Sequence, residues 1–485
     1  MTGFYCVFAE DAATYRIDAV TYSITGRTRP YALGLAVKID KTRTFDSEEN
    51  LMAYVDDIKL QLENQRVLES VAIDISCGDP IDGVIPVSLD VKTVDTWNII
   101  GVPYPKYNSN TGFQFKLKLK DFNAFGSLQP LTVDLIYQND EKGKTHLGGS
   151  FDMAIPFNAF EHDALWNINA ALDVPLNEAP KFSVSSGLDV RFPLTGVLDL
   201  HTGIIQGFML NDRSSEGVLY ADDSHYFTEK VYANVPVLLG TLEHLGKIQW
   251  IPSVTAFVNL DDDGLQNSAL FGPDVVFAHS LSVGRTDWTR NFRDGLIISA
   301  NNSWSYNLYR KNMVPVVEMS MTGYRSFFDI FGITTRLDGY VRLDGSAATG
   351  TGEKLRGIRD NRISTNTSLV FNLDMPLRVV RIDFASFEHF RKLDIFSCEV
   401  QLSPFFDMAL THDAKTGNYF GLADGWYSGG MEMLVYPKKM RSIYGRASFG
   451  VDVPEFIGSG YHIDALAKRD NAPIFDFSAG IGLHY

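Results

Sequence analysis

The sequence predicts a mainly β protein: a 16-stranded antiparallel transmembrane β-barrel preceded by one small α+β domain. Three observations carry that expectation. Strictly alternating apolar and polar runs recur through residues 110–485, as strands with one apolar face require. Several of these runs exceed ten residues, enough to cross a bilayer at a tilt, whereas strands of water-soluble sheets are usually five or six residues long. No run of 18 or more apolar residues occurs, which excludes helical membrane spans.

Composition is consistent with this. Hydrophobic residues make up 45% of the 485 residues and mean hydropathy is -0.06, as lipid-facing and lumen-facing residues of barrel strands average out. The 40 Gly, 33 Phe and 21 Tyr favour a barrel over a soluble sandwich, because aromatic girdles and close strand packing raise those counts. A net charge of -16 argues against nucleic acid or anionic lipid as the main partner. Cys6, Cys77 and Cys398 form no metal spacing and the histidines do not cluster with them, so no metal and no cofactor is expected. Cys77 and Cys398 are expected to be unpaired thiols in separate domains. The absence of a hydrolase elbow, a phosphate loop or a Ser/His/Asp cluster gives no ground for an enzyme.

Residues 1–9 read as a signal-peptide remnant, an apolar stub with Val7 and Ala9 ahead of Glu10 and Asp11. Residues 15–95 read as a small α+β unit. Ile17, Val20, Tyr22 and Ile24 mark a strand ending at Gly26, and a short mixed stretch with Leu33, Leu35 and Val37 follows. Asp46 and Glu49 have capping-box spacing ahead of a helix to about Asn64. Leu51, Val55, Ile58 and Leu62 give that helix one apolar face. Strands are expected at Leu68 to Ser76 and Val84 to Val94.

The barrel is expected over residues 108–485. Phe113, Phe115, Leu117 and Leu119 alternate with Gln114, Lys116, Lys118 and Lys120, and the same period returns at 166–174 and 182–192. The chain ends Phe475, Phe477, Ala479, Ile481, Leu483, Tyr485 with small or polar residues between. Between 16 and 17 strand patterns can be counted, and even numbers in single-chain barrels select 16, with the miscounted segment expected between 213 and 345. Arg381 to Asp394 is longer than a turn requires and reads as an interfacial stretch or a strand extension.

Several of these stretches resemble known proteins. The segment FDSEENLMAYVDDIKLQLENQRVLESVAIDI resembles a POTRA domain. Near residue 350, between two strand patterns, lies TGTGEKLRGIRDN; its LRGI, Leu355 to Ile358, resembles the VRGF/Y motif in a loop of the BamA-type superfamily that folds back into the barrel lumen, with Ile358 in place of the aromatic. Five strand patterns follow it, as in that family. The stretch SPFFDMAL resembles the family's FFDAG strand. YPKYNSNTGFQFKLKLKDFNAFG looks like its first strand, and the C-terminus resembles the outer-membrane insertion signature with Tyr485 in place of the usual Phe.

The resemblance implies a loop tether in which Arg356, beside Gly357, meets Asp407 and Asp374, with Phe406 facing the loop. Physics agrees that a guanidinium inside a barrel wall needs carboxylates in fork geometry. It also implies a lateral seam of first and last strands, carrying Phe113, Phe115 and Leu117 on one side and Gly480, Gly482 and Tyr485 on the other; glycine adds no side-chain packing there. The implied function is insertion of outer-membrane β-barrel proteins by strand templating at that seam. A dedicated translocator of two-partner-secretion type is the alternative, and a porin a more distant one. The implied partners are unfolded outer-membrane or secreted polypeptides, outer-membrane lipid and periplasmic accessory proteins. The implied location is the outer membrane, with the α+β domain in the periplasm.

Overall fold

The computed structural model describes residues 4–5, 14–65, 67–108, 112–139, 144–159, 162–176, 178–195, 198–211, 223–243, 245–359, 362–386, 388–412, 417–439 and 444–481. Gly482 and Tyr485 of the expected seam, and all of the expected signal remnant except Phe4 and Tyr5, lie outside the described residues.

The N-terminal unit is a five-stranded sheet of order β1-β4-β5-β2-β3. Its strands are β1 (Phe4–Tyr5), β2 (Thr14–Thr25), β3 (Thr44–Phe45), β4 (Leu68–Cys77) and β5 (Val84–Asp95), with helices α1 (Pro30–Ala36) and α2 (Glu48–Glu63). Helix α2 starts where Ser47 Oγ accepts from the Asn50 N–H at 3.2 Å, and Glu48 and Glu49 sit at its positive end. The cap is thus Ser47, one residue after the expected Asp46, because either side chain can accept that bond and Ser47 holds the extended backbone. Leu51, Val55, Ile58 and Leu62 pack as predicted onto Val71, Ile73, Val87, Leu89 and Val91 of the sheet. Cys77, at the end of β4 beside the short β1, is disulfide-bonded, contrary to the expectation of a free thiol; Cys398 is free.

From Ile99 the chain closes into an antiparallel barrel. Its strands are β6 (Ile99–Asn108), β7 (Gly112–Asp121), β8 (Leu131–Asn139), β9 (Thr145–Ala159), β10 (His162–Pro175), β11 (Lys181–Thr195), β12 (Leu198–Leu210), β13 (His225–Asn234), β14 (Val237–Leu242), β15 (Gly246–Leu260) and β16 (Asp274–Thr289). There follow β17 (Phe292–Asn307), β18 (Asn312–Phe327), β19 (Phe331–Arg342), β20 (Thr367–Asp374), β21 (Leu377–Ile382), β22 (Cys398–Thr411), β23 (Trp426–Pro437), β24 (Gly445–Asp452) and β25 (Phe475–Ile481). Two crossings are each split in two: β15 pairs with both β13 and β14, and β22 with both β20 and β21. The breaks fall at Pro236 and Pro376, where the missing N–H interrupts the ladder.

The described residues therefore form eighteen crossings, not sixteen. The number is even as expected, but of the two further crossings β6 lies before the expected barrel start at 108, not between 213 and 345, because Gly101, Pro103 and Pro105 hide its alternation. For the same reason the barrel begins nine residues before the expected 108. The stretch that resembles a first strand is a hairpin, β6 and β7 paired from Ile99↔Asp121 to Asn108↔Gly112. Arg381 and Ile382 extend β21, and the rest of that connection forms two short 3-10 segments.

A period of two then fixes the faces. Phe115, Tyr137 and Leu147 lie in register on neighbouring strands with their side chains exposed on the outer wall. On the opposite face Lys116 reaches Asp134 at 2.8 Å. Among the described residues, no helix is long and apolar enough to cross a membrane.

The α+β unit docks on the barrel end that carries the shorter connections, and the Asn123–Gly126 knuckle after β7 is its main seat. Asn123, fully buried, donates to Thr28 Oγ at 2.7 Å and accepts from the Leu128 N–H at 2.9 Å. Gly126 has φ 74° and a Cβ there would lie 1.9 Å from the Arg27 carbonyl oxygen, so only glycine lets the two backbones meet. Its own carbonyl accepts from the Arg29 N–H at 2.9 Å. At the far side of the rim, Arg285 pairs with Asp57 at 2.7 Å and Asn64 donates to Asp287 at 3.0 Å. The longer connections, including 343–366 and 453–474, emerge at the other end.

Asn123→Ala would orphan buried polar groups at a cost of about 1–3 kcal/mol. We expect hydrogen exchange at Arg27–Arg29 to quicken in that variant while β10–β18 stay protected; unchanged exchange would refute the knuckle as the seat.

Candidate functional site: a loop clasped inside the lumen

The connection between β19 and β20, residues 343–366, does not stay outside. Leu355, Ile358 and Ile363 are buried with Val370, Ala409 and Trp426 of the barrel wall, so three apolar side chains draw the loop inward. Gly357 sits at φ 88°, and a Cβ on it would come within 2.6 Å of the Gly450 backbone. A Cβ on Gly450 would in turn meet the Arg356 carbonyl at 2.9 Å. Two glycines thus let loop and wall touch backbone to backbone.

That contact seats Arg356 among carboxylates. Its Nε donates to Asp407 Oδ2 at 2.9 Å and its Nη2 to Asp407 Oδ1 at 2.6 Å, a bidentate fork. The backbone N–H of Arg356 adds a third bond to Asp407 Oδ2 at 2.9 Å. Nη1 reaches Asp374 at 2.5 Å and Glu432 at 3.1 Å. Below the guanidinium, the Phe405 ring lies 3.7 Å from Cζ, an added cation–π contact. Arg356 is 3% exposed and Asp407 0%, so neither charge could be held there alone. Glu432 also meets Arg446 at 2.9 Å, which brings a second cation to the three acids.

The structure brings Arg356, Gly357, Asp407 and Asp374 into one cluster. It does not bring Phe406 there: Asp407 faces the lumen, so its neighbour Phe406 faces out and is exposed, and Phe405 takes the inner position. The alternation in SPFFDMAL could have shown this, since adjacent strand residues point to opposite faces. Glu432, Arg446 and Gly450 had no local signal, because they lie on β23 and β24 and meet the loop only once the barrel closes. A second grip holds the far end of the loop. Arg362 pairs with Asp452 at 2.9 Å and Asp470 at 2.6 Å, and its guanidinium faces the Trp426 ring.

The expected seam residues divide differently. The last strand lies beside β6, so the seam is β25 against β6. Phe113, Phe115 and Leu117 sit one strand further, on β7, paired with both β6 and β8. Gly480 is opposite Arg446 on β24. Among the described residues, His225, Asp261 and Asp262 have side-chain donor atoms within 4.8 Å of one another. Asp261 and Asp262 lie in the turn after β15, in which Asp261 also accepts from the Asp263 N–H at 3.4 Å, and His225 opens β13.

No protein-family model and no curated protein matches the sequence. Solved structures do match in shape. CdiB from Escherichia coli superposes with a TM-score of 0.53 at 10% identity, over 96% of this chain and 76% of that one. CdiB from Acinetobacter baumannii gives 0.50 at 11% identity, over 96% and 73%. At such identity the likeness is one of fold: a barrel of this kind with a small α+β unit before it. BamA from Haemophilus ducreyi lacking POTRA domains 1–3 aligns over 96% of this chain at 13% identity with a TM-score of 0.38, too low to carry an argument.

Arg356→Ala leaves three carboxylates crowded around one remaining cation, and Asp407→Ala leaves a buried guanidinium short of its fork, each costing about 3–5 kcal/mol locally. Either variant should open residues 343–366 to limited proteolysis. The double variant should be barely worse than either single one. Fully additive cleavage rates would show that the two residues do not share one contact.

Proposed function

We propose that the chain is an outer-membrane barrel of the BamA-type superfamily that moves polypeptide into or across that membrane without covalent chemistry, with residues 15–95 as a periplasmic POTRA domain. The observation that carries this reading is the Arg356 clasp: a long loop drawn into the lumen and held by the bidentate contact of its Arg356 with Asp407 on the strand that carries SPFFDMAL. A diffusion porin has no use for such a tether or for an α+β unit seated on its rim. The exposed apolar outer wall suits a hydrocarbon surround.

Within that class we favour insertion by strand templating at the seam. Pro103 and Pro105 on β6 have no N–H, and prolines are tolerated in sheets where the missing donor faces away from an established ladder. Since β6 has its long ladder with β7, the missing donors belong on the seam side. The closing strand β25 contains Gly480, which adds no side-chain packing. A seam short of donors would open at low cost and offer its edge to an incoming strand. A dedicated translocator remains the second reading, supported by the single α+β unit, which is short for a general assembly factor.

Depletion followed by a survey of outer-membrane proteins decides between them. Insertion predicts that many barrels decline together; dedicated secretion predicts the loss of one surface protein. An unchanged surface and outer-membrane proteome would refute both.

A further inference from the structure

We propose that a pocket inside the lumen around Arg293 binds a carboxylate carried by a polypeptide. This rests on the reading that the chain handles polypeptide, and adds where and by what chemistry it would be held.

The pocket lies where the β16–β17 hairpin faces β22 and β23, lined among others by Trp288, Arg293, Tyr324, Ser403, Leu434 and Tyr436. Arg293 stands between two rings, its Cζ 4.6 Å from the Trp288 centroid and 5.2 Å from that of Tyr324. Its Nη1 donates to Tyr324 Oη at 3.1 Å, while its Nε is buried with no acceptor. Arg356 and Arg446 in the lumen are each matched to acid; among the described residues, Arg293 has no carboxylate within ion-pair distance. A second observation points the same way. Ser403 is 1% exposed, lines the same pocket, and its Oγ has no partner.

A half-buried guanidinium whose Nε lies buried without an acceptor is costly, and two rings fixing its plane pre-organise the fork for an anion. Asp374 and Glu432 also border the pocket, but both are engaged by Arg356. The cavity measures about 50 Å³, room for about four water-sized groups at roughly 10–15 Å³ each. That admits a carboxylate with a carbon or two and not a whole folded ligand. An acidic side chain or a chain terminus fits, and the aromatic walls accept the apolar atoms next to it.

Position fits as well. Immediately outside the pocket, Asn64 at the end of α2 accepts from the Trp288 N–H at 3.4 Å and donates to Asp287 at 3.0 Å. A chain passed from the α+β unit into the lumen on this side would meet Arg293 first.

The test is equilibrium binding to the purified full chain in lipid nanodiscs, which needs no transport and so stands or falls apart from the depletion result. Three six-residue glycine-serine peptides ending in phenylalanine are compared: one with a free carboxyl terminus, one amidated, and one amidated with an internal aspartate. At least one carboxylate-bearing peptide should bind ten-fold or more tighter than the uncharged amide, and which one does identifies the source. Arg293→Gln should abolish that preference, Arg293→Lys should keep part of it as a point charge without the fork, and Ser403→Ala should weaken it two- to five-fold. The proposal is overturned if the three peptides bind alike to the unmodified chain, or if the preference survives in Arg293→Gln. Should Arg293→Gln fail to fold, an unaltered preference in both Arg293→Lys and Ser403→Ala overturns it equally.

Discussion

One guanidinium organises the interior of this protein. Arg356 is buried in a wall that already carries Asp374, Asp407 and Glu432, and none of these groups is tolerable without the others. The three acids repel one another unless a cation stands between them, and the cation could not leave water unless acids received it. The loop that carries Arg356 is therefore bound to the wall by a mutual requirement, and apolar burial of Leu355, Ile358 and Ile363 adds to it. Backbone contact at Gly357 and Gly450 removes the space in which water could screen the charges.

The rest of the architecture serves that placement. Alternation sends the acids inward and the aromatic and aliphatic residues outward, so one period of two both makes the outer wall apolar and charges the lumen. The acids come from three different crossings, β20, β22 and β23, which only register can align. At the opposite end the α+β unit is fastened by a backbone knuckle at Gly126 and by ion pairs on the far rim. Seat and tether thus lie at the two ends of one lumen, with the Arg293 pocket between them.

Much of this was legible in the sequence, for a physical reason in each case. The barrel could be read from runs such as 113–120 because burial on one side alone leaves a binary trace. Helix α2 could be read because its apolar face and its cap are both local. Arg356, Asp407 and Asp374 could be proposed together only through resemblance, since nothing in spacing links positions on separate strands. What escaped was non-local or masked by proline and glycine. Strand β6 lost its alternation to Pro103 and Pro105, and that displaced the seam by one strand and lowered the strand count. Glu432, Arg446 and Gly450 had no signature until the wall closed around the loop. Phe406 was a misreading that the period of two already forbade.

The central claim is that residues 355–358 lie clasped within the lumen. Amide hydrogen exchange on the full chain in lipid bilayers measures it directly, because the Arg356 N–H is itself bonded to Asp407. The account predicts that the amides of Leu355 to Ile358 exchange as slowly as those of β22. Exchange at the rate of an unstructured surface loop would contradict it.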